Sequence, residues 1–267
     1  MKEQAITIAR RGKNNLEARN LLREYLQHVI LRQLFEKDLL RFLIFHGGTA
    51  LRIFHDLHRF SEDLDFHLEW PGPDIDFRAK MQKIKSGLAL GGYQISVKEN
   101  YGKTVIPVSI RFHEVLQEAG IALQRRENLS IKVEIDTNPP QGFVTETAFI
   151  NKYFPFAIKH HDLGSFLAGK LHAILHRRYT KGRDVYDLMF YLSRWPELEP
   201  NLEYLDNALV QTGYDGEKIT GQDWREEVIR LLEKTDFDGV KKDVESFLES
   251  EADLALMTRE NLRSLLC

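Results

Sequence analysis

The chain has 267 residues, 43% of them hydrophobic and 29% charged, with a formal charge of −3. That balance describes an ordinary globular protein of one large domain or two modest ones, and it excludes a protein that is basic overall, though not local basic patches. A lone cysteine, Cys267, excludes an intrachain disulfide framework and any multi-cysteine zinc site, which fits a reducing compartment.

Met1 to Ile6 holds no signal-peptide core, and no apolar run approaches the roughly 20 residues of a bilayer span. A cytoplasmic protein without membrane contact is expected. From 14 to 41, residues such as Leu22, Tyr25, Leu26, Val29 and Ile30 recur at helical spacing among charges, which predicts an amphipathic helix or helix pair. Phe42 to Phe45 reads as a short buried strand delivering the Gly47-Gly48 turn, with a helix from Ala50 to His58 behind it. Leu64 to Leu68 is the next strand, ended by Pro71-Gly72-Pro73. Ile75 to Leu90 is helical and closes at Gly91-Gly92, after which Tyr93 to Val97, Val105 to Phe112 and Ser130 to Asp136 read as strands.

Asn138-Pro139-Pro140-Gln141-Gly142 is the strongest punctuation in the middle of the chain, and beyond about Asp162 every pattern is helical. Phe166, Leu167, Leu171, Ile174 and Leu175 form one stripe. Further helices are predicted over Val185 to Trp195, Leu202 to Val210, Trp224 to Leu232 and Val240 to Leu248. The expected fold is α+β: a core domain over 1–155 with a mixed sheet and flanking helices, then a helical bundle domain over 156–267.

Two segments point to chemistry. His46-Gly47-Gly48-Thr49-Ala50-Leu51 reads as a glycine turn opening a helix, where unpaired backbone N–H groups and the helix dipole can hold a phosphate. In Ser61-Glu62-Asp63-Leu64-Asp65-Phe66, alternation along a strand sends both aspartates out of one face, where they can reach a divalent metal. A phosphate cradle beside paired carboxylates suggests phosphoryl or nucleotidyl transfer. Such chemistry commonly uses two divalent ions about 3.5–4 Å apart, and hard oxygen ligands select Mg²⁺ or Mn²⁺. A third carboxylate is expected on a neighbouring strand. Glu134 and Asp136 share one face of Ile131-Lys132-Val133-Glu134-Ile135-Asp136; Glu134 is favoured, because Asp136 sits beside Thr137-Asn138-Pro139, where a turn-capping aspartate is common.

These blocks resemble the AbiEii/MenT nucleotidyltransferase toxins, a branch of the DNA polymerase β-like superfamily. Gly47-Gly48-Thr49-Ala50-Leu51, Arg59-Phe60-Ser61-Glu62-Asp63-Leu64-Asp65-Phe66, Lys132-Val133-Glu134-Ile135, Lys170-Leu171-His172-Ala173 and Arg183-Asp184-Val185-Tyr186-Asp187-Leu188 stand in the family's order, from about Phe42 to Leu192. The resemblance implies a nucleotidyltransferase core followed by a helical domain, with nucleotide bound between them. It implies Gly47, Gly48 and Thr49 at the triphosphate, Asp63 and Asp65 at metal, Lys170 at the nucleotide, and Asp187 supporting catalysis; Asp184, three residues earlier on the same helix face, could serve instead. It also implies an NTP substrate, an RNA acceptor with the tRNA 3′ end as a candidate, and a cognate antitoxin. A lysine on a helix suits a polyphosphate because its ammonium is a point charge.

Blander readings stand beside these. Asp187 could simply pair with Arg183 one turn earlier. The basic run of Lys170, His172, His176, Arg177, Arg178, Lys181, Arg183 and Arg194 could be a solvated face or could hold an RNA backbone. His172 and His176 have zinc-compatible spacing but no third ligand. His160-His161-Asp162 and Ser61 carry little weight alone. Two rival functions remain: the same transfer to a small molecule or a protein, and a non-catalytic nucleotide-binding module.

Overall fold

The computed structural model describes residues 1–69, 75–124, 127–177, 179–216, 218–221 and 223–267. Pro71-Gly72-Pro73 and Arg178 therefore lie outside the described residues. The chain divides into two compact units, the first comprising Met1–Phe54, Phe60–Asn138 and Thr147–His160, the second His55–Arg59, Pro139–Glu146 and His161–Cys267.

The first unit is built on a mixed sheet. In chain order the elements are α1 (Lys2–Ala9), α2 (Asn15–Glu36), β1 (Leu43–His46), α3 (Gly47–His55), β2 (Leu64–Leu68), α4 (Phe77–Leu90), β3 (Ile95–Glu99), β4 (Val105–Phe112), α5 (Val115–Glu118), β5 (Leu129–Asp136), β6 (Thr145–Ile150) and β7 (Phe156–His161). The strands lie in the order β3-β4-β5-β2-β1-β7-β6. β2 runs parallel to β5 and antiparallel to β1, while β1 runs parallel to β7. The β3, β4 and β5 strands are successively antiparallel.

Strict alternation makes this sheet two-faced. Ile106, Val108, Ile110 and Phe112 of β4 and Leu129, Ile131, Val133 and Ile135 of β5 are all buried, while the residues between them are exposed or half-buried. Each aliphatic side chain so removed from water stabilises the fold by about 1.5–3 kcal/mol. The apolar face packs on α2 and α4. The sequence predicts an amphipathic helix or pair over 14–41; the structure has one long helix there, capped by the Asn14 side chain on Glu17 N–H. It is buried nearly all round, with Glu24, Gln27 and His28 inside as well as the leucines. Glu24 is accommodated because Arg52 and Lys152 both pair with it.

The second unit is helical: α6 (Leu163–His176), α7 (Gly182–Arg194), α8 (Leu202–Gln211), α9 (Trp224–Glu233), α10 (Phe237–Glu245), α11 (Ala252–Leu256) and α12 (Arg259–Leu266). α6 is capped by Asp162, whose carboxylate accepts from Ser165 N–H at 2.8 Å, and it packs on α7, α8 and α9. Its buried stripe is Phe166, Leu167, Leu171, Ile174 and Leu175, as the periodicity predicts. No helix among the described residues is long and apolar enough to cross a membrane.

Candidate active site

In the first unit the structure sets Gly47 against Asp65, Thr49 on the Asp63 carbonyl and Glu134 in register with Asp65. β1 ends at His46, which lies opposite Asp65 of β2 in the antiparallel ladder, and Gly47 opens α3 directly after it. Gly47 has φ +77°, a conformation that L side chains rarely adopt, and a Cβ built on it would clash with the Asp65 carboxylate oxygen. The turn is thus glycine for two reasons, and one of them is the acid itself. Thr49 is buried, and its hydroxyl donates to the carbonyl of Asp63 at 2.5 Å, tying the start of α3 to the acid-bearing segment. Gln27 of α2 braces the same segment by donating to the Ser61 carbonyl at 3.0 Å.

The parallel ladder between β2 and β5 places Glu134 opposite Asp65 and Asp136 opposite His67. Glu134 pairs with Lys132 at 2.7 Å. Burial opposes the charge on the Lys132 ammonium, but Glu134, Asp63 and Asp65 outweigh it and raise its pKa. Asp65 and Glu134 from adjacent strands, with Asp63 just before β2, therefore act on one cation. Asp136 caps the turn that follows, accepting from Asn138 N–H at 2.9 Å, and burial raises its pKa.

Among the described residues no three His, Cys, Asp or Glu side chains form a preassembled metal cluster. Mg²⁺ does not require one, since it usually takes one or two protein carboxylates and completes its shell with water and substrate phosphates. The donors here are all carboxylate oxygens, and the Lys132 ammonium already answers to their summed charge. That donor set fits a hard divalent ion.

Lys170, Asp184 and Asp187 meet in the second unit, together with a residue to which the sequence reading gave no role. Arg59 is 2% exposed and donates through Nε and one terminal nitrogen to the two oxygens of Asp187, at 2.6 and 2.7 Å. Asp187 is fully buried and also meets Lys170 Nζ at 2.7 Å; Asp184 meets Lys170 at 3.1 Å and pairs with Arg177. Arg183 is not the partner of Asp187: its guanidinium lies over the Phe247 ring, 4.5 Å from the centroid. Burial alone would raise the Asp187 pKa, yet Arg59 and Lys170 hold it below the ordinary carboxylate range. For Lys170 burial works against the charge, and Asp187 and Asp184 more than restore it. Asp187 thus holds Lys170 and Arg59 together. Arg59 belongs to the block that carries the family resemblance, which was the available signal for it.

The remaining basic and histidine candidates are largely engaged by protein groups. Arg194 donates to the His55 carbonyl at 3.1 Å. His172 and His176 stack with ring centroids 5.5 Å apart, and His172 Nε2 bonds the Thr212 hydroxyl at 3.0 Å. His160 stacks on Phe54 and His161 on Phe143, so both serve packing, while Asp162 serves as the cap of α6. Two cavities of the helical unit, about 450 and about 750 Å³, are lined by neither Lys170 nor Asp184 nor Asp187.

Solved structures share the fold of this chain. One is a candidate nucleotidyltransferase from H. pylori, 21% identical with TM-score 0.58, covering 92% of each chain. Another is JHP933 from Helicobacter pylori, 22% identical with TM-score 0.57, covering 92% of this chain and 90% of that one. The model of the AbiEii nucleotidyl transferase toxin family, type IV toxin–antitoxin system, matches residues 29–260, and the chain belongs to that family. It is a nucleotidyltransferase, and its family brings an NTP substrate and an antitoxin counterpart. Among curated proteins none matches it significantly.

Proposed function

We propose that this enzyme moves a nucleoside monophosphate from an NTP to a hydroxyl of RNA, with a tRNA 3′ end as the candidate acceptor, in a reaction that depends on Mg²⁺ or Mn²⁺. The carrying observation is the packing of the Gly47 turn against the Asp65 carboxylate with Glu134 in register beside it. Backbone N–H groups at Gly47 and Gly48 receive phosphate oxygens, and Thr49 keeps that helix start joined to Asp63. Asp63, Asp65 and Glu134 are the residues that would hold the divalent ion, whose chemistry there would be to offset the negative charge of the triphosphate. Lys170, held by Asp187 and Asp184, supplies a fixed positive charge to the nucleotide.

The chain is further proposed to act in the cytoplasm as the toxin of its pair. Purified protein incubated with labelled NTPs, Mg²⁺ and total RNA should transfer label to RNA, and EDTA should abolish the transfer. Asp63→Ala should slow it by at least about 100-fold, since a metal-held charge contributes several kcal/mol to the transition state. No transfer with any NTP, or transfer indifferent to Asp63→Ala, overturns the proposal. Label found in protein instead of RNA overturns its acceptor.

A further inference from the structure

The face of the sheet opposite the buried one continues away from the acids across β5, β4 and β3, and its side chains form two cross-strand rows. In one row Lys98 lies opposite Ser109, which lies opposite Lys132; in the other Ser96 lies opposite Arg111, which lies opposite Ser130. All six project from the polar face, and Ser96, Lys98, Arg111, Ser130 and Lys132 are exposed. Basic and hydroxyl side chains thus alternate in both directions. Adjacent strands are about 4.8 Å apart, so each row spans roughly 10 Å, and successive same-face residues advance by about 7 Å along a strand.

Over β3 and β4 the charge on this face is unbalanced, while on β5 Lys132 pairs with Glu134. Among the described residues no carboxylate comes within ion-pairing distance of Lys98 or Arg111, and the acid of β3, Glu99, falls on the other face of its strand. The hydroxyls are held in place, Ser109 Oγ against Ser130 Oγ at 3.0 Å and Ser96 Oγ against His113 Nε2 at 2.9 Å. By comparison, the cavity of about 750 Å³ in the helical unit mixes Arg177, Lys181, Arg230 and Lys234 with Glu227, Asp236 and Asp243, which largely cancels its charge.

The rows lead to the acids. Lys132 precedes Glu134 by one same-face step on β5, and Glu134 lies opposite Asp65. We infer that this sheet face is the track for the acceptor strand: the phosphodiester backbone of single-stranded RNA lies over Lys98 and Arg111, and its terminal hydroxyl is delivered past Lys132 to the Asp63, Asp65 and Glu134 carboxylates. Cations meet phosphates, and serine hydroxyls meet ribose 2′-hydroxyls, which both donate and accept. The inference rests on the proposed RNA acceptor and adds where that acceptor is gripped.

Fluorescence anisotropy with a short fluorescein-labelled single-stranded RNA, titrated over a range of salt, tests it. Wild type should bind with an affinity that falls as salt rises. Lys98→Glu with Arg111→Glu should bind at least about tenfold more weakly, and its salt slope should shrink by about 1.4, roughly 0.7 for each lost phosphate contact. Lys98→Gln with Arg111→Gln, a gentler pair, should move both quantities in the same direction, and circular dichroism checks that each variant is folded. Affinity within twofold of wild type in both folded pairs, or wild-type binding that ignores salt or is absent, overturns the track. Labelling of RNA by a doubly reversed variant with unchanged RNA affinity would sink the track and leave nucleotidyl transfer standing. RNA binding lost in that variant, with no label transferred by wild type under any NTP, would do the reverse.

Discussion

Gly47 is the residue on which the candidate site turns, because its positive φ and its contact with Asp65 impose separate penalties on any side chain. Gly47→Ala should cost about 1–2 kcal/mol of stability from the backbone alone. It should also push the Asp65 carboxylate aside, and a misplacement of that kind costs about 100-fold in rate. Urea denaturation and the labelling assay read the two effects separately; a variant with wild-type rate would show that Asp65 is not held by the turn. The turn and the acids were legible in the sequence because each is written in a few consecutive residues whose chemistry depends on local geometry. Arg59 was not legible as the partner of Asp187, because 128 residues separate them and only the folded chain brings them together. Thr49 illustrates a subtler limit: its position was readable, but the choice of the Asp63 carbonyl as its hydrogen-bond partner was not.

At the scale of elements, Asp187 joins α7 to α6 through Lys170 and to the 55–59 segment through Arg59. Removing its charge takes the bidentate partner from the buried Arg59 and leaves Lys170 with Asp184, so Asp187→Ala should destabilise the helical unit by about 3–5 kcal/mol, as loss of one partner of a buried pair generally does. A shift in the urea midpoint equivalent to under 1 kcal/mol would show that Arg59 and Lys170 find other partners. Most elements were readable from periodicity, including the stripe of α6 and the alternation of β4 and β5. The strands β6 and β7 and the helices α1, α5, α11 and α12 were not. β6 buries only Ile150, as expected of a strand at the sheet edge, so no alternation marks it; α1 is short and weakly amphipathic. β7 does alternate, but it ends in His160-His161, which read as polar and are in fact buried against Phe54 and Phe143. The long α2 was misread as amphipathic because it turns polar residues inward, among them Glu24, whose partners Arg52 and Lys152 are remote in sequence.

For the whole molecule, the first unit encloses His28, the second half-buries His172, and each buries a charged carboxylate, so acid should weaken them together. Burial holds His28 below 6.5, with help from Lys152 and Arg52, and burial with His176 and Arg177 pushes His172 down to about 4. In each case the unfolded chain takes up the proton first, so stability falls as pH drops below about 6.5. Glu24 and Asp187 have lowered values despite burial, because Arg52 and Lys152 hold the first and Arg59 and Lys170 the second. Their contribution is present above the unfolded values of 4.5 and 3.8 and is lost as pH falls through the lower folded ones. Urea midpoints should therefore decline from pH 7 to 5, before carboxylates titrate, and His172→Gln should flatten that decline. A midpoint constant over that interval would contradict the assignment. None of this coupling could be read from composition, which records ten histidines without saying which are enclosed.

The close fit between Gly47 and Asp65 bears on how such a gene can be disarmed over generations. One nucleotide change in the glycine codon inserts a methyl group where the acid needs room, so a lineage can silence the enzyme while both aspartates persist in its reading frame. Copies that keep their acids but have lost this glycine should be counted among the harmless ones.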